Sequence, residues 1–302
     1  MALDFDSARA PDPNLGEEHE AWRAQLRRFI DDQIMPYAAD WDEAGEIPRG
    51  LWQQAADIGL LGLGYPERYG GTSDGIDIWY HNIVGEALAR IGVGGVPATL
   101  MVHNIGLPPV VNFAGDAIRD RVAPAVIAGE QRISLAITEP GGGSDVAQLA
   151  TTAVRDGDHY VVNGSKTYIT GGMGADWFST AVRTGGEGPG GVSMLLIDAD
   201  RDGGARTLLD KKQGWWASDT ATIYFDNVRV PAEQLIGEEH QGFKVIMHNF
   251  NNERLAMSVG MEAMARVCLE EAVSWARERH TFGKLLADHQ VIRHKIAEMK
   301  HR

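Results

Sequence analysis

The sequence predicts an α+β fold in three domains. These are a helical N-terminal domain over residues 1–130, a β-domain over 131–239 and the start of a helical bundle over 240–302. Three observations predict it. Amphipathic helical spacing runs through residues 15–130. From about Gln131 the texture changes to short alternating runs with hairpin punctuation. After Pro231 the helical pattern returns, and Gly242–Arg279 contains no proline. At 302 residues the chain is also long for one core.

Helical spacing marks Glu17–Tyr37, Pro48–Leu60, Ile76–Ile91 and Asp116–Ala128, separated by Gly- and Pro-bearing turns such as Pro66–Gly75. Ile133, Leu135 and Ile137 then alternate with polar partners, as in a strand. Asp156-Gly157 and Asn163-Gly164 read as hairpin turns between strand-like segments. Further strands are expected at Trp177–Arg183, Val192–Ile197 and Ala221–Val230, with a Gly-rich loop at Gly185–Gly191. From Gly242 a long helix is expected. Apolar residues at 243, 247, 250, 257, 261, 264, 268, 272 and 275 form a stripe that needs helical partners along its length. The chain turns near Phe282-Gly283 and starts another helix around Asp288. With that helix unfinished at Arg302, another subunit or a further C-terminal portion is expected to cover the stripe.

Composition narrows the function. A net charge of −14 argues against nucleic acid or an anionic membrane as partner. Cys268 is the only cysteine, so no intramolecular disulfide forms and a reducing compartment suits the chain. The acidic, Pro-containing start has neither a signal-peptide nor a transit pattern. No apolar run approaches the roughly 20 residues that span a bilayer. A cytoplasmic, soluble protein is the expectation. There is no P-loop, no strand–GxGxxG–helix, no HExxH and no paired Cys/His spacing, so no metal is expected.

The most informative stretch is Ile137-Thr138-Glu139-Pro140-Gly-Gly-Gly143-Ser144-Asp145. A strand ends at the threonine, and three glycines let the backbone turn tightly and converge its N–H groups. Such a turn can bind an anion without cationic side chains. It can also be a simple redirection of the chain.

Several separated segments, taken in order, resemble the acyl-CoA dehydrogenase family of flavoproteins from about residue 15 to 302. Pro66-Glu-Arg-Tyr-Gly-Gly71 resembles a loop between the family's N-terminal helices. Ile137–Asp145 and Tyr168-Ile169-Thr170 resemble its two flavin segments. Ser218-Asp219-Thr220 and Phe225–Pro231 resemble the end of its β-domain, and Arg279–Leu286 with His289-Gln290 its C-terminal signature.

The resemblance implies a β-barrel-like central domain and bound FAD. Thr138 and Thr170 would hydrogen-bond the flavin ring, with Leu135, Ile137, Gly143 and Ile169 beside them, and Ser144 would meet the pyrophosphate. Tyr168 would lie against the isoalloxazine, where the family more often has tryptophan. Arg279, Thr281, Phe282 and Gln290 resemble residues that reach the FAD of a neighbouring subunit, which implies a homo-oligomer, dimer or tetramer. Trp216 stands where a basic residue is common. The implied substrate is an acyl-CoA thioester, and the implied electron acceptor is an electron-transfer flavoprotein. Acyl-CoA oxidase chemistry and a truncated, non-catalytic flavin- or acyl-CoA-binding protein are the alternatives.

That reaction removes an α-proton and so needs a carboxylate base and donors to the thioester oxygen. Glu253 and Arg254 break an otherwise apolar seam. Burying such charges is costly unless they are paired, which invites a function. Asn-Asn-Glu253-Arg254-Leu resembles the helix-borne base of isovaleryl- and long-chain acyl-CoA dehydrogenases. Glu253 is therefore the candidate base, and Arg254 orients the site or holds the ligand. In the family, later helices supply a backbone donor to the thioester oxygen. A product ending at Arg302 is thus expected to be weak or inactive, since one such donor is worth on the order of 10²–10³ in rate.

Overall fold

The computed structural model describes residues 12–301; the acidic start before Asp12 and Arg302 lie outside the described residues. The helical first part comprises α1 (Glu17–Gln33), α2 (Ala38–Ala44), α3 (Gly50–Asp57), α4 (Ile78–Ala89), α5 (Gly95–Leu100), α6 (His103–Gly106), α7 (Pro108–Phe113) and α8 (Asp116–Ile127). Four long amphipathic stretches were legible as α1, α3, α4 and α8, with ends trimmed by a few residues. The short helices between Gly95 and Phe113 carry too few turns to show a period. Pro108 opens α7 at a position where no intrahelical N–H is needed.

The strands are β1 (Ile133–Ala136), β2 (Thr152–Asp156), β3 (His159–Thr170), β4 (Trp177–Arg183), β5 (Val192–Asp198), β6 (Gly204–Leu208), β7 (Thr220–Pro231) and β8 (Leu235–Ile236). They form one sheet in the order β6-β7-β3-β2-β4-β5-β8, with β1 running parallel to β4. Its path stays open, so the sheet does not close into a barrel. β2 meets β4 only at Thr152–Arg183, while β1 takes the rest of that edge.

β4 and β5 are buried on both faces, which explains their nearly continuous apolar sequence. Phe178, Val182, Leu195 and Ile197 face one core with Tyr160, Val162, Ile223 and Phe225. Trp177, Ala181, Met194 and Leu196 face a second core with Val110, Val122 and Val126 of α7 and α8.

The Asp156-Gly157 turn is a hairpin, with Asp156 opposite His159. Asn163-Gly164 is not. It lies inside β3, where the pairing with β7 slips between Val162 and Gly164. Gly164 has φ +143°, and a Cβ there would stand 2.6 Å from Thr151 Oγ1, so this glycine serves a close backbone approach, opposite the extra residue of β7.

After the sheet come α9 (Gly242–Glu278), a two-strand hairpin of β9 (His280–Thr281) and β10 (Lys284–Leu285), and α10 (Gln290–His301). The chain divides into two compact units. One contains Asp32–Asp77 and Val93–Arg254, including the sheet and the first turns of α9. There Val245 and Ile246 are buried in the helix-side core, and Phe243, Met247 and Phe250 pack against it.

Among the described residues, the other unit contains 12–31, Ile78–Gly92 and 255–301. Within it, Arg23 pairs with Glu86 (3.6 Å) and Arg90 with Glu270 (3.8 Å). Ala263, Leu269 and Ala276 of α9 are buried, whereas Met257, Met261, Met264 and Trp275 of the expected stripe are exposed. Among the described residues, no helix is long and apolar enough to cross a membrane, and no cluster of His, Cys, Asp and Glu could hold a metal.

Candidate functional site

The Gly-rich loop leaves β1 at Ile137 and is pinned at both ends by one buried ion pair. Lys166, 0% exposed, donates from Nζ to Glu139 Oε1 (2.7 Å) and to the Ile137 carbonyl (3.1 Å). Glu139 stands at the loop entrance. Its carboxylate accepts from the backbone N–H groups of Ala150 (2.6 Å) and Thr151 (2.9 Å) at the exit. Burial lowers the Lys166 pKa to about 8, against the opposing pull of the Glu139 charge. Burial alone would raise the Glu139 pKa, but Lys166 and the hydrogen bonds outweigh it and hold it below the usual range.

Between these pins the residues from Gly141 to Asp145 are exposed, and only a small bridge between Glu139 and Gly142 closes the turn. Among the described residues, the N–H groups of Gly143, Ser144 and Asp145 have no protein acceptor. A Cβ on Gly143 would approach Thr138 Cγ2 to 3.0 Å, so glycine lets the loop lie on that threonine.

Thr138 is tied to the second predicted segment by a hydrogen bond from the Thr167 N–H to its carbonyl (2.8 Å). Here β3 slips again against β7, between Lys166 and Ile169, and the extra residue is Tyr168. Its φ is +58°, an uncommon conformation for an aromatic residue, and its side chain is 64% exposed. The bulge turns Tyr168 outward while Ile169 stays in the core. Thr138 and Thr170 are half-buried, and their hydroxyls have no protein partner among the described residues. Leu135 and Ile137 pack into the helix-side core beneath. Asp219 fixes the turn after Thr170, accepting from Met173 N–H (2.7 Å) and Gly174 N–H (3.2 Å). The structure thus brings Leu135, Ile137, Thr138, Gly143, Ser144, Tyr168, Ile169 and Thr170 into one neighbourhood.

Trp216 is exposed and donates from Nε1 to the Lys212 carbonyl (2.9 Å); Lys212 in turn reaches the Trp215 carbonyl (2.7 Å).

Glu253 lies on α9, half-buried. Burial pushes its pKa up to about 7, and the neighbouring Arg254 charge pulls the other way. Asn249, one turn earlier, donates from Nδ2 to Glu253 Oε1 (2.9 Å). Arg254 is exposed. A carboxylate that exchanges its proton near neutral pH is suited to general-base work.

The remaining predicted residues belong to the other unit. Arg279 closes the β9–β10 hairpin by accepting from the Leu286 N–H (2.8 Å). Phe282 and Gly283, with φ +51° and +77°, form a two-residue turn with both central residues left-handed, a geometry that favours Asn and Gly. Phe282 is 97% exposed at its tip. Thr281 Oγ1 lies 3.2 Å from His289 Nε2, and Gln290 begins α10, exposed.

Sequence reasoning missed Lys166, Asn249 and the turn-fixing role of Asp219. One signal was available for Lys166: it shares strand parity with the core residues Tyr160 and Val162, an inward position where lysine is out of place.

The chain matches the family model "Acyl-CoA dehydrogenase, N-terminal domain" over residues 16–130, the middle-domain model over 134–228 and the C-terminal-domain model over 240–302. The long-chain specific acyl-CoA dehydrogenase of Sus scrofa mitochondria is 34% identical over 289 residues, covering 95% of this chain and 66% of the pig protein. The chain thus spans about two thirds of the length of such relatives. A solved structure described as a "probable acyl CoA dehydrogenase" from Mycobacterium abscessus is 48% identical, with TM-score 0.91, over 95% of this chain and 76% of that one. A glutaryl-CoA dehydrogenase from Mycobacterium smegmatis, solved in complex with FADH2, is 25% identical, with TM-score 0.88, over 99% of this chain and 74% of that one. The chain belongs to the acyl-CoA dehydrogenase family, whose members are FAD-dependent oxidoreductases acting on CH–CH groups.

Proposed function

We propose that this protein carries out FAD-dependent α,β-dehydrogenation of an acyl-CoA thioester to the trans-2-enoyl-CoA, with Glu253 as the base for the α-proton. The observation that carries this reading is the half-buried Glu253 carboxylate with a pKa near 7. A group poised there is substantially ionised near neutral pH yet basic enough to accept a proton from a weak carbon acid. The expected pH dependence follows: the base is competent when deprotonated, so turnover rises as pH increases through about 7. Arg254 supports the ionised form by its charge and is assigned to orienting the site or holding the ligand.

The chain's own residues fit the cofactor. Exposed N–H groups at Gly143–Asp145 suit a pyrophosphate. The Thr138 and Thr170 hydroxyls suit the polar edge of the flavin, and the outward ring of Tyr168 suits its face. FAD, when bound, supplies the acceptor for the β-hydride. Arg279, Thr281, Phe282 and Gln290 are assigned to a neighbouring subunit's cofactor in a homo-oligomer, dimer or tetramer. The strained, fully exposed Phe282 is the feature most in need of such a partner. An electron-transfer flavoprotein takes the electrons in this reading, and a reducing, cytoplasmic location suits the lone Cys268.

The test is anaerobic reduction of the purified flavoprotein by a panel of acyl-CoA thioesters. Wild-type flavin absorbance should bleach with at least one thioester. Glu253→Gln should abolish bleaching while FAD and the thioester stay bound; bleaching that persists in this variant moves the base elsewhere. Hydrogen peroxide released when air is admitted would identify an oxidase instead.

A further inference from the structure

Asn249 occupies the helix position one turn before Glu253, on the same face of α9. Asparagine is a poor residue for a helix interior, and at 6% exposure this one has no solvent to satisfy it. Its carboxamide Nδ2 makes two bonds, to the Ile105 carbonyl (3.0 Å) and to Glu253 Oε1 (2.9 Å). The amide orientation is set by chemistry. A backbone carbonyl can only accept, so the NH₂ group must face it, and its second hydrogen is left for the carboxylate.

The acceptor end is itself anchored. Ile105 lies in α6, where the buried His103 ring contacts the Leu61 carbonyl (3.1 Å) and the Gly106 carbonyl accepts from Ser179 Oγ (2.7 Å). Glu253 Oε2 has no protein donor among the described residues.

We propose that Asn249 is a positioning residue: it ties one oxygen of the Glu253 carboxylate to the α6 backbone, fixing the rotamer and leaving the other oxygen to take the substrate proton. This rests on the reading of Glu253 as the base. The field at Glu253 is otherwise set by Arg254 on its own helix. From α6, His103 adds no charge near neutral pH, because burial lowers its pKa to about 4.

Removing a donor from a carboxylate disfavours its ionised form, so loss of the tether raises the Glu253 pKa. A hydrogen bond to a charged group predicts a shift of about one unit. Two variants probe this. Asn249→Ala deletes the donor, and Asn249→Leu keeps the approximate shape with neither a donor nor a charge.

The readout in the substrate-free flavoprotein is the titration of the glutamate side-chain ¹³C carboxyl resonance that disappears in Glu253→Gln. A second readout is the pH profile of flavin bleaching by the thioester that reduces wild type. Both variants should retain FAD, titrate Glu253 about one unit higher and shift the rising limb of the profile by the same amount. On the high-pH plateau they should remain on the order of ten-fold slower, since the carboxylate is no longer held in one rotamer. An unmoved Glu253 titration in the near-isosteric Asn249→Leu protein, with an unchanged plateau rate, overturns the proposal. If Glu253→Gln still bleaches, the base reading fails on its own, and the carboxyl titration still decides whether Asn249 holds Glu253.

Discussion

Replacing Lys166 by Met tests whether one buried ion pair holds the Gly-rich loop. Lys166 is fully buried and Glu139 nearly so, at 9% side-chain exposure. The substitution keeps the apolar stem and deletes the charge, the bond to Glu139 and the bond to the Ile137 carbonyl. Glu139 keeps its two backbone donors, Ala150 and Thr151, but loses its counter-charge. Breaking a buried pair on one side costs about 3–5 kcal/mol. Here the lower end applies, because Glu139 can take up a proton once Lys166 no longer holds its pKa down. We therefore expect a loss of about 3 kcal/mol.

The double variant with Glu139→Gln should be less damaged than the sum of its parts, because no uncompensated charge remains and the amide oxygen still accepts one N–H. A coupling of about 1–3 kcal/mol is expected. Urea-unfolding midpoints of the four proteins measure the cycle, and the FAD content after gel filtration reports on the loop. Cofactor retention should fall in the single variants, since entrance and exit of the loop are held by the same carboxylate. Single variants within about 1 kcal/mol of wild type, additive in combination and still loaded with FAD, would refute the clamp.

Two further predictions follow from titrating groups. Glu253 has its folded pKa raised to about 7, so its contribution to stability is present below the unfolded value of 4.5 and is lost as pH rises through 7. Glu253→Gln should therefore be more stable than wild type at pH 8, by about 2 kcal/mol after discounting for partial solvent exposure, and the gain should vanish by pH 4. His103 is the opposite case. Burial lowers its pKa from 6.5 to about 4, so its contribution is full above 6.5 and is lost as pH falls through that interval. His103→Gln should flatten the acid limb of a stability–pH curve by about 3 kcal/mol, and an unchanged limb would place the acid sensitivity elsewhere.

Much of the architecture is local in origin and was legible in the residues. The long amphipathic periods became α1, α4, α8 and α9, and the strand-like runs became β1, β4, β5 and β7. The glycines at 141–143 and the Phe282-Gly283 turn announced themselves because backbone freedom is a property of residue type. The Asn163-Gly164 pair shows the limit. Asn-Gly favours a tight turn, but pairing of β3 with β7 on one side and contact with Thr151 on the other keep it inside the strand, opposite a bulge in β7. Tertiary pairing outweighed a local preference of modest size.

The candidate site divides along the same line. The Gly-rich loop and the charged break at Glu253 stood out as anomalies in their own segments, while Tyr168 and Thr170 came from the family resemblance. Only the tertiary structure decided that Lys166 faces Glu139, that the Glu139 carboxylate grips residues at the far end of the loop, and that Asn249 bridges Glu253 to Ile105. Glu139–Lys166 and Asn249–Ile105 join residues far apart in the chain, and their strength depends on burial, which no single segment carries. The pKa of Glu253 is of the same kind: the sequence supplies the carboxylate, and burial on α9 pushes its pKa up to about 7.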